Sequence, residues 1–453
     1  MQPIVTPAEM KAIDEAAPEP VGVLVERAGA AVAREALRMM GGGYGRRVVV
    51  VAGKGNNGAD GRAAAARLAR RGVRIHLVDA AFAPEALLPC DLVIDAAYGT
   101  GFGGEYRSPD PGDSPVLAVD IPSGVDGLTG EAGEEAVWAD RTVTLAALKP
   151  GLLLGEGCDR SGPVTVADIG LDVSSARAAR VEKADVAAWL PPRARESHKW
   201  KSAVYVVAGS EGMAGAAHLC ARAAMRAGAG TVRLAIPGAP PETPFLEVVG
   251  RTVPATGWDA DVVDDAARAR ALVVGPGLSR TDSTAEAVRS LLPKARVAVV
   301  LDADGLFALG SAGAAGDVLR QRSAPTVLTP HDGEFKRLMG RPPGPDRLAD
   351  TRDLAERTGA TVLLKGSTTV VADPDGASLW STEADARLAS AGTGDVLAGV
   401  IAAFLAQGLP ALRAAGLAAY VHGAAANRGW RRGLVAGDLL DALPAVLDEA
   451  EAP

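Results

Sequence analysis

Ala391-Gly392-Thr393-Gly394-Asp395 opens an Ala/Leu/Val-rich stretch, Val396 to Leu405, that reads as a helix. Glycines at such a junction leave backbone N–H groups free to face an anion, and the helix start adds the positive end of its dipole. Asp395 then sets a carboxylate where a hydroxyl would meet a phosphoryl group. A carboxylate binds phosphate poorly, so proton removal is the chemistry this spacing suggests. The plainer alternative is an N-cap, a task to which Asp is well suited.

Gly53-Lys54-Gly55-Asn56-Asn57-Gly58 matches the dinucleotide pattern G-x-G-x-x-G, and Asp79 lies about where a ribose-binding acid would fall. A nicotinamide-dependent oxidoreductase is the first hypothesis. Paired carboxamides at Asn56 and Asn57 suggest side chains that bind instead, and the charge of Asp60 would repel a pyrophosphate. A tight turn that tolerates Asn is the simpler reading. Asp95-Ala96-Ala97-Tyr98-Gly99-Thr100-Gly101 and Asp120-Ile121-Pro122-Ser123-Gly124 each put an Asp beside a Gly-rich turn. Taken singly, each Asp reads as a turn cap. Taken together, Asn57, Asp95 and Ser123 would offer oxygen ligands only, as suits a hard cation.

Later in the chain Gly209 to Ala217, Gly275-Pro276-Gly277-Leu278-Ser279, Thr329-Pro330-His331-Asp332-Gly333-Glu334 and Lys365-Gly366-Ser367-Thr368-Thr369 are further candidate loops. With Gly392 to Asp395 they would form one cleft for a nucleotide and a second substrate. Lys365 would neutralise phosphate charge there, unless it is an exposed strand-end lysine. Asp302 and Asp304, in Leu301-Asp302-Ala303-Asp304-Gly305, fit turns and cleft walls equally well.

These loops need strands to hold them. Arg46 to Ala52 is a continuous apolar run of the kind found in buried parallel strands. A helix from Ala63 to Arg71 follows, then strands at Val73–Val78, Leu92–Asp95, Val116–Asp120 and Arg141–Leu145. A second series begins at Ala203 and continues through Ala271–Val274, Val297–Leu301, Thr326–Leu328 and Thr361–Leu364. Ligands of open α/β sheets collect at the carboxyl ends of such strands. Between Ser174 and Trp200 the texture becomes that of a proline-rich, charged linker with a short helix inside it, so two domains are expected, residues 1–193 and 194–453.

Composition excludes several classes. The 453 residues are 48% hydrophobic and only 4% aromatic, with 54 glycines, which suits an α/β enzyme. A net charge of −8 argues against nucleic acid as a partner. Cys90, Cys158 and Cys220 are scattered and odd in number, so no disulfide framework is indicated. No apolar run reaches membrane length and the first residues lack a signal-peptide core, so a cytoplasmic location is expected.

The motifs Gly-Asn-Asn-Gly-Ala-Asp-Gly at 55–61, those starting at Asp95 and Asp120, and Lys149-Pro150-Gly151 resemble the NAD(P)H-hydrate epimerase domain. The resemblance implies a substrate that is NADH or NADPH carrying water across its nicotinamide double bond. Carried over, Asn56, Asn57, Gly58, Ala59, Asp60, Gly99, Thr100, Gly101, Phe102, Gly103, Gly104, Glu105 and Asp120 would bind the hydrate, with Asp120 as proton carrier. Asn57, Asp95 and Ser123 would hold K+. Ala59 stands where the family has glycine, and its β-carbon would restrict positive φ.

From about Ser197 to Leu447 the loops resemble the ADP- or ATP-dependent NAD(P)H-hydrate dehydratase domain, a relative of ribokinase-like sugar kinases. That implies hydrate contacts from Ala216, Gly277, His331 and Asp395, and nucleotide contacts from Lys365, Gly366, Ser367, Thr368, Thr369 and Gly394. Asp395 would be catalytic and Mg2+ would accompany the nucleotide. The implied fold is α/β in two domains, a Rossmann-like three-layer sandwich followed by a ribokinase-like one. The expected partners are the hydrates and ADP or ATP, with no nucleic acid and no membrane, in a homo-oligomer. A fused sugar or vitamin kinase, a dehydrogenase and a non-catalytic scaffold are the rival readings.

Overall fold

The computed structural model describes every residue except Glu105, Pro241, Glu242, Pro244, Ala452 and Pro453. Glu105, expected among the hydrate-binding residues, therefore lies outside the described residues. The chain divides into two compact units, residues 2–178 and 179–453, the second also taking Met1.

In the first unit six parallel strands lie in the order Arg74–Asp79, Arg47–Ala52, Leu92–Ala96, Val116–Val119, Arg141–Leu145, Val164–Ala167. Val48, Val49, Val50 and Val51 are all buried, because apolar matter covers both faces of their strand. One face packs on the helices Val21–Met40 and Asn56–Ala69. The other is covered by residues from the segments 80–106 and 137–139. The chain enters the sheet at Arg47–Ala52, adds a neighbour on one side, then crosses to Leu92–Ala96 on the other. The crevice between those two strands is the topological switch point, where α/β sheets bind ligands.

The second unit has a mixed sheet. From Ala178–Arg180 its order runs Ser378–Ser381, Thr369–Ala372, Thr361–Leu364, Thr326–Leu328, Ala298–Leu301, Ala271–Val274, Ala203–Val207, Thr231–Ala235, Val248–Arg251. Thr369–Ala372 and Ser378–Ser381 form an antiparallel meander with Thr361–Leu364, while the strands from Thr361–Leu364 to Val248–Arg251 pair in parallel. Helices cover both faces. Ala214–Arg226, Thr393–Ala406 and Ala411–Asn427 are among those on one side, and Asp282–Lys294 and Arg347–Thr358 among those on the other.

Three expectations need correction. The helix expected from Ala63 starts at Asn56, so Asn57 to Asp60 belong to its first turns. Ala59 is therefore helical, and no positive φ is asked of it. The short helix expected between Ser174 and Trp200 is present at Lys183–Trp189, but residues 179–190 are not a loose linker. Val181, Val186 and Leu190, the latter two on or just after the helix Lys183–Trp189, are buried in the large core of the second unit.

The helix that carries Asp395 is fixed by close approach to Ala214–Arg226. A β-carbon on Gly399 would lie 2.2 Å from the Cys220 carbonyl oxygen, whereas one on Gly22 would meet nothing within 4 Å. Gly399→Ala should destabilise by about 1–3 kcal/mol or more, read as a lower melting temperature. Gly22→Ala, a helical position with open space, should leave the temperature unchanged or slightly raised. Equal melting temperatures for Gly399→Ala and the parent would refute this packing.

Candidate functional sites

Each unit gathers its chemistry at the carboxyl ends of its strands. In the first, a cavity of about 1040 Å³ opens at the switch point, lined by Asn56, Asn57, Asp60, Gly99 to Gly103, Asp120 and Lys149 among others. Its rim is the helix Asn56–Ala69, whose Gly55 cap supplies no side-chain bond, so first-turn N–H groups remain available to an anion. Gly58 is there because a β-carbon would sit 1.9 Å from the Gly53 carbonyl oxygen. Arg62 donates to that same oxygen at 2.7 and 2.8 Å and locks the turn. Phe102 packs on Tyr98 with ring centroids 4.2 Å apart, giving the cavity an aromatic wall.

At the floor, the Lys149 ammonium pairs with Asp120 and also donates to Thr144 Oγ1 at 3.0 Å and the Leu145 carbonyl at 2.8 Å. Asp120 further accepts from Thr144 Oγ1 and Leu145 N, both at 3.1 Å. Its φ of 67° is left-handed, a strained setting for a residue with a β-carbon. Asp60 is buried beside this pair and the exposed Asp14 lines the same cavity, so one ammonium stands among three carboxyl groups. Burial first, then the charges of Asp120 and Asp14, push Asp60 up to about 8. Asp60 is thus largely neutral at neutral pH, and the repulsion of a pyrophosphate expected from its charge is removed.

Asn57, Asp95 and Ser123 come together around the backbone of Tyr98. Asn57 Nδ2 donates to the Tyr98 carbonyl at 2.8 Å, and Ser123 Oγ lies 3.1 Å from that oxygen and 2.7 Å from Asp95 Oδ1. Asp95 is 3% exposed, and burial pushes it up to about 6 despite bonds from Ser123 and Ala97. Asn57 Oδ1 is buried and has no hydrogen-bond partner among the described residues.

In the second unit five neighbouring parallel strands deliver the loops. The turn at Gly277 packs on Ala216, since a β-carbon on Gly277 would lie 3.2 Å from Ala216 Cβ. Gly209 N donates to the Pro276 carbonyl at 2.6 Å, joining these two loops. His331 caps the helix Asp332–Met339: its Nδ1 accepts from Gly333 N at 3.0 Å, and Glu334 reaches back to His331 N at 3.0 Å. The cap accounts for the sequence position, and the ring remains exposed. Lys365 Nζ binds Asp302 Oδ1 at 2.6 Å. Burial works against this ammonium, but Asp302 and Glu334 hold it above the usual lysine range. Gly366 and Ser367 form the exposed tip of the next turn, while Thr368 is buried and Thr369 begins the antiparallel strand.

Gly392, at φ 90°, caps the helix Thr393–Ala406 without a side-chain bond, so Asp395 is not its N-cap. A β-carbon on Gly394 would lie 3.2 Å from Lys365 Nζ, which brings lysine and glycine turn together. No donor among the described residues binds the Asp395 carboxyl. Burial, then Asp302, push it up to about 7, with Lys365 opposing. Under the turn, His422 Nε2 contacts the Thr393 carbonyl at 2.9 Å; burial pushes this ring down to about 4, so it is neutral and donates.

Sequence did not single out the partners Asp14 and His422, left Asp302 open between turn and cleft wall, and quoted Lys149, Thr329 and Glu334 only as parts of motifs. Asp302 carried the same strand-end signal as Asp95 and Asp120. Asp14 and His422 carried none.

Comparison with known proteins agrees with this division. Residues 204–445 match the family described as NAD(P)H-hydrate dehydratase, and residues 21–88 and 77–151 match the YjeF-related protein N-terminus. A bifunctional NAD(P)H-hydrate repair enzyme of Salinibacter ruber is 38% identical, covering 99% of this chain and 96% of its own. One of Mycobacterium leprae is 40% identical over 90% of this chain and 89% of its own. Among solved structures, an ADP/ATP-dependent NAD(P)H-hydrate dehydratase from Bacillus subtilis, co-crystallised with ATP/Mg2+, is 33% identical with a TM-score of 0.51. It covers 60% of this chain and 98% of its own. The chain belongs to the family of bifunctional NAD(P)H-hydrate repair enzymes.

Proposed function

We propose that the N-terminal unit interconverts the R and S epimers of NADH and NADPH hydrates and that the C-terminal unit dehydrates the S form. ADP or ATP serves as phosphoryl donor. The observation that carries the reading is the Asp395 carboxyl, unpartnered among the described residues, beside Lys365 at a glycine-capped helix start.

Hydroxide is a poor leaving group from a saturated carbon at neutral pH. Asp395 takes the hydroxyl proton of the hydrate as its oxygen attacks the terminal phosphorus, and the nucleotide leaves one phosphate shorter. Gly392, Gly394, the helix start and Lys365 stabilise charge on the transferring group. The ring nitrogen's lone pair then expels phosphate, and loss of a proton from the adjacent carbon restores the double bond. Ala216, Gly277 and His331 hold the hydrate in this reading, and Lys365 to Thr369 with Gly394 hold the nucleotide. Magnesium arrives as part of the nucleotide complex.

In the first unit the helix start at Asn56–Asp60 and the turn from Gly99 receive the dinucleotide, and Asp120 carries a proton to or from the epimeric carbon's substituents. Reversible ring opening and reversible loss of water both need such a carrier. The buried Asn57 Oδ1, partnerless among the described residues, fits K+ as a hard cation together with the Asp95 carboxylate and Ser123. When bound there, K+ would fix the strand-end loops and offset phosphate charge. A homo-oligomer is part of the same proposal.

Asp395→Asn should lower nucleotide-dependent NADH recovery by about 10²–10⁴-fold while epimer exchange continues. Near-parental dehydration by that variant would refute the assignment. For the cation, replacing K+ by choline should lower the melting temperature of the parent. Asp95→Asn should melt alike in both salts; an undiminished K+ response would remove Asp95 from the site.

A further inference from the structure

Asp302 follows the strand Ala298–Leu301 and is 2% exposed. Its Oδ1 accepts from Lys365 Nζ at 2.6 Å and from Thr329 Oγ1 at 2.8 Å, so its orientation is fixed from two loops. A β-carbon on Gly394 would find Lys365 Nζ at 3.2 Å and Asp302 Oδ2 at 3.7 Å. Asp302 thus lies directly under the turn that presents Asp395, behind the lysine, and the reaction described above assigns it no contact with a reacting atom.

We propose that Asp302 is a positioning residue for phosphoryl transfer, pinning Lys365 against the glycine turn and keeping the neighbouring Asp395 able to take a proton. The inference rests on the reading of Asp395 as general base. Two effects act in one direction. A second carboxylate close to Asp395 disfavours its charged form, and engaging Lys365 elsewhere weakens the attraction that would favour that form. The same pairing keeps a largely buried ammonium charged, which desolvation alone would oppose. A base poised near the working pH transfers protons best, and Asp395 is pushed up to about 7 by burial and by Asp302.

The other titratable groups around this pair come from each packed element. Glu334 stands on Asp332–Met339, beneath His331, and Asp304 on the helix Asp304–Leu309. His422, neutral, faces them from Ala411–Asn427, and the Cys220 thiol, pushed well up by burial, from Ala214–Arg226. Of these, Glu334 also leans on Lys365, so it would inherit part of the ammonium's attention if Asp302 were lost.

The test is the pH profile of kcat/KM for hydrate consumption by the full chain at fixed nucleotide. Asp302→Asn keeps the shape and a partner for Thr329. It should move the acid limb roughly one pH unit lower, with a several-fold higher KM for the nucleotide. Asp302→Glu should restore the limb. Lys365→Gln, which leaves Asp302 unneutralised beside Asp395, should move it the opposite way, to higher pH, and this holds even if Asp302→Asn does not fold. An unmoved limb in Asp302→Asn or in Lys365→Gln would overturn the proposal, as would Asp302→Glu behaving like Asp302→Asn. Retained dehydration by Asp395→Asn would instead show that the base itself was misassigned.

Discussion

A single buried ammonium shared among several carboxyl groups is the constraint on which both sites depend. Lys149 is held by Asp120, Thr144 and the Leu145 carbonyl, while Asp60 is buried beside it and Asp14 lines the same cavity. Lys365 is held by Asp302, while Asp395 and Glu334 crowd it. In each case one aspartate is committed to the lysine and another is left short of positive charge. Burial then does the rest, pushing Asp60 up to about 8 and Asp395 up to about 7. In the second unit that separation fits the proposed reading, with Asp302 as a fixed charge and Asp395 as the proton carrier; in the first, Asp120, although paired with Lys149, remains the proposed carrier.

Such a cluster survives only where the backbone around it leaves no slack. The strand ends supply that rigidity. At the switch point of the first sheet, Gly53, Gly58 and Gly61 let the turn and the helix approach the strands to distances no β-carbon would permit. In the second unit Gly399 does the same for the helix of Asp395. His422 adds a bond from below to the Thr393 carbonyl, and because it is neutral it does so without adding another charge. The cluster and the close packing therefore depend on one another: loosening the helix admits water, and water would relieve the crowding that sets the basicity.

Much of this was legible in the chain because glycine and aspartate at strand ends signal locally. Gly392 to Asp395, the turn at Asp95 and the loop at Asp120 each announced themselves within a few residues. The pairings announced nothing. Lys365 and Asp302 are separated by 63 residues, and Lys149 and Asp120 by 29. No short pattern joins them, so only the sheet order reveals which loops meet. Local propensity misled at Asn56-Asn57-Gly58, poor helix formers that tertiary contact nevertheless recruits into a first turn. It misled again before Pro191, where Val181, Val186 and Leu190 are spaced for burial but sit amid charge and proline.

The two sites act in sequence if each carries out its own half of the repair. The most direct measurement is the progress curve of NADH recovered from a mixture of both hydrate epimers, with ADP, using Asp120→Asn. The parent chain is expected to run to completion. In the variant, a first phase as fast as the parent's stops once the S epimer is spent, and the remainder follows only at the rate of spontaneous exchange. Complete recovery by Asp120→Asn at the parental rate would contradict the division of labour between the two units.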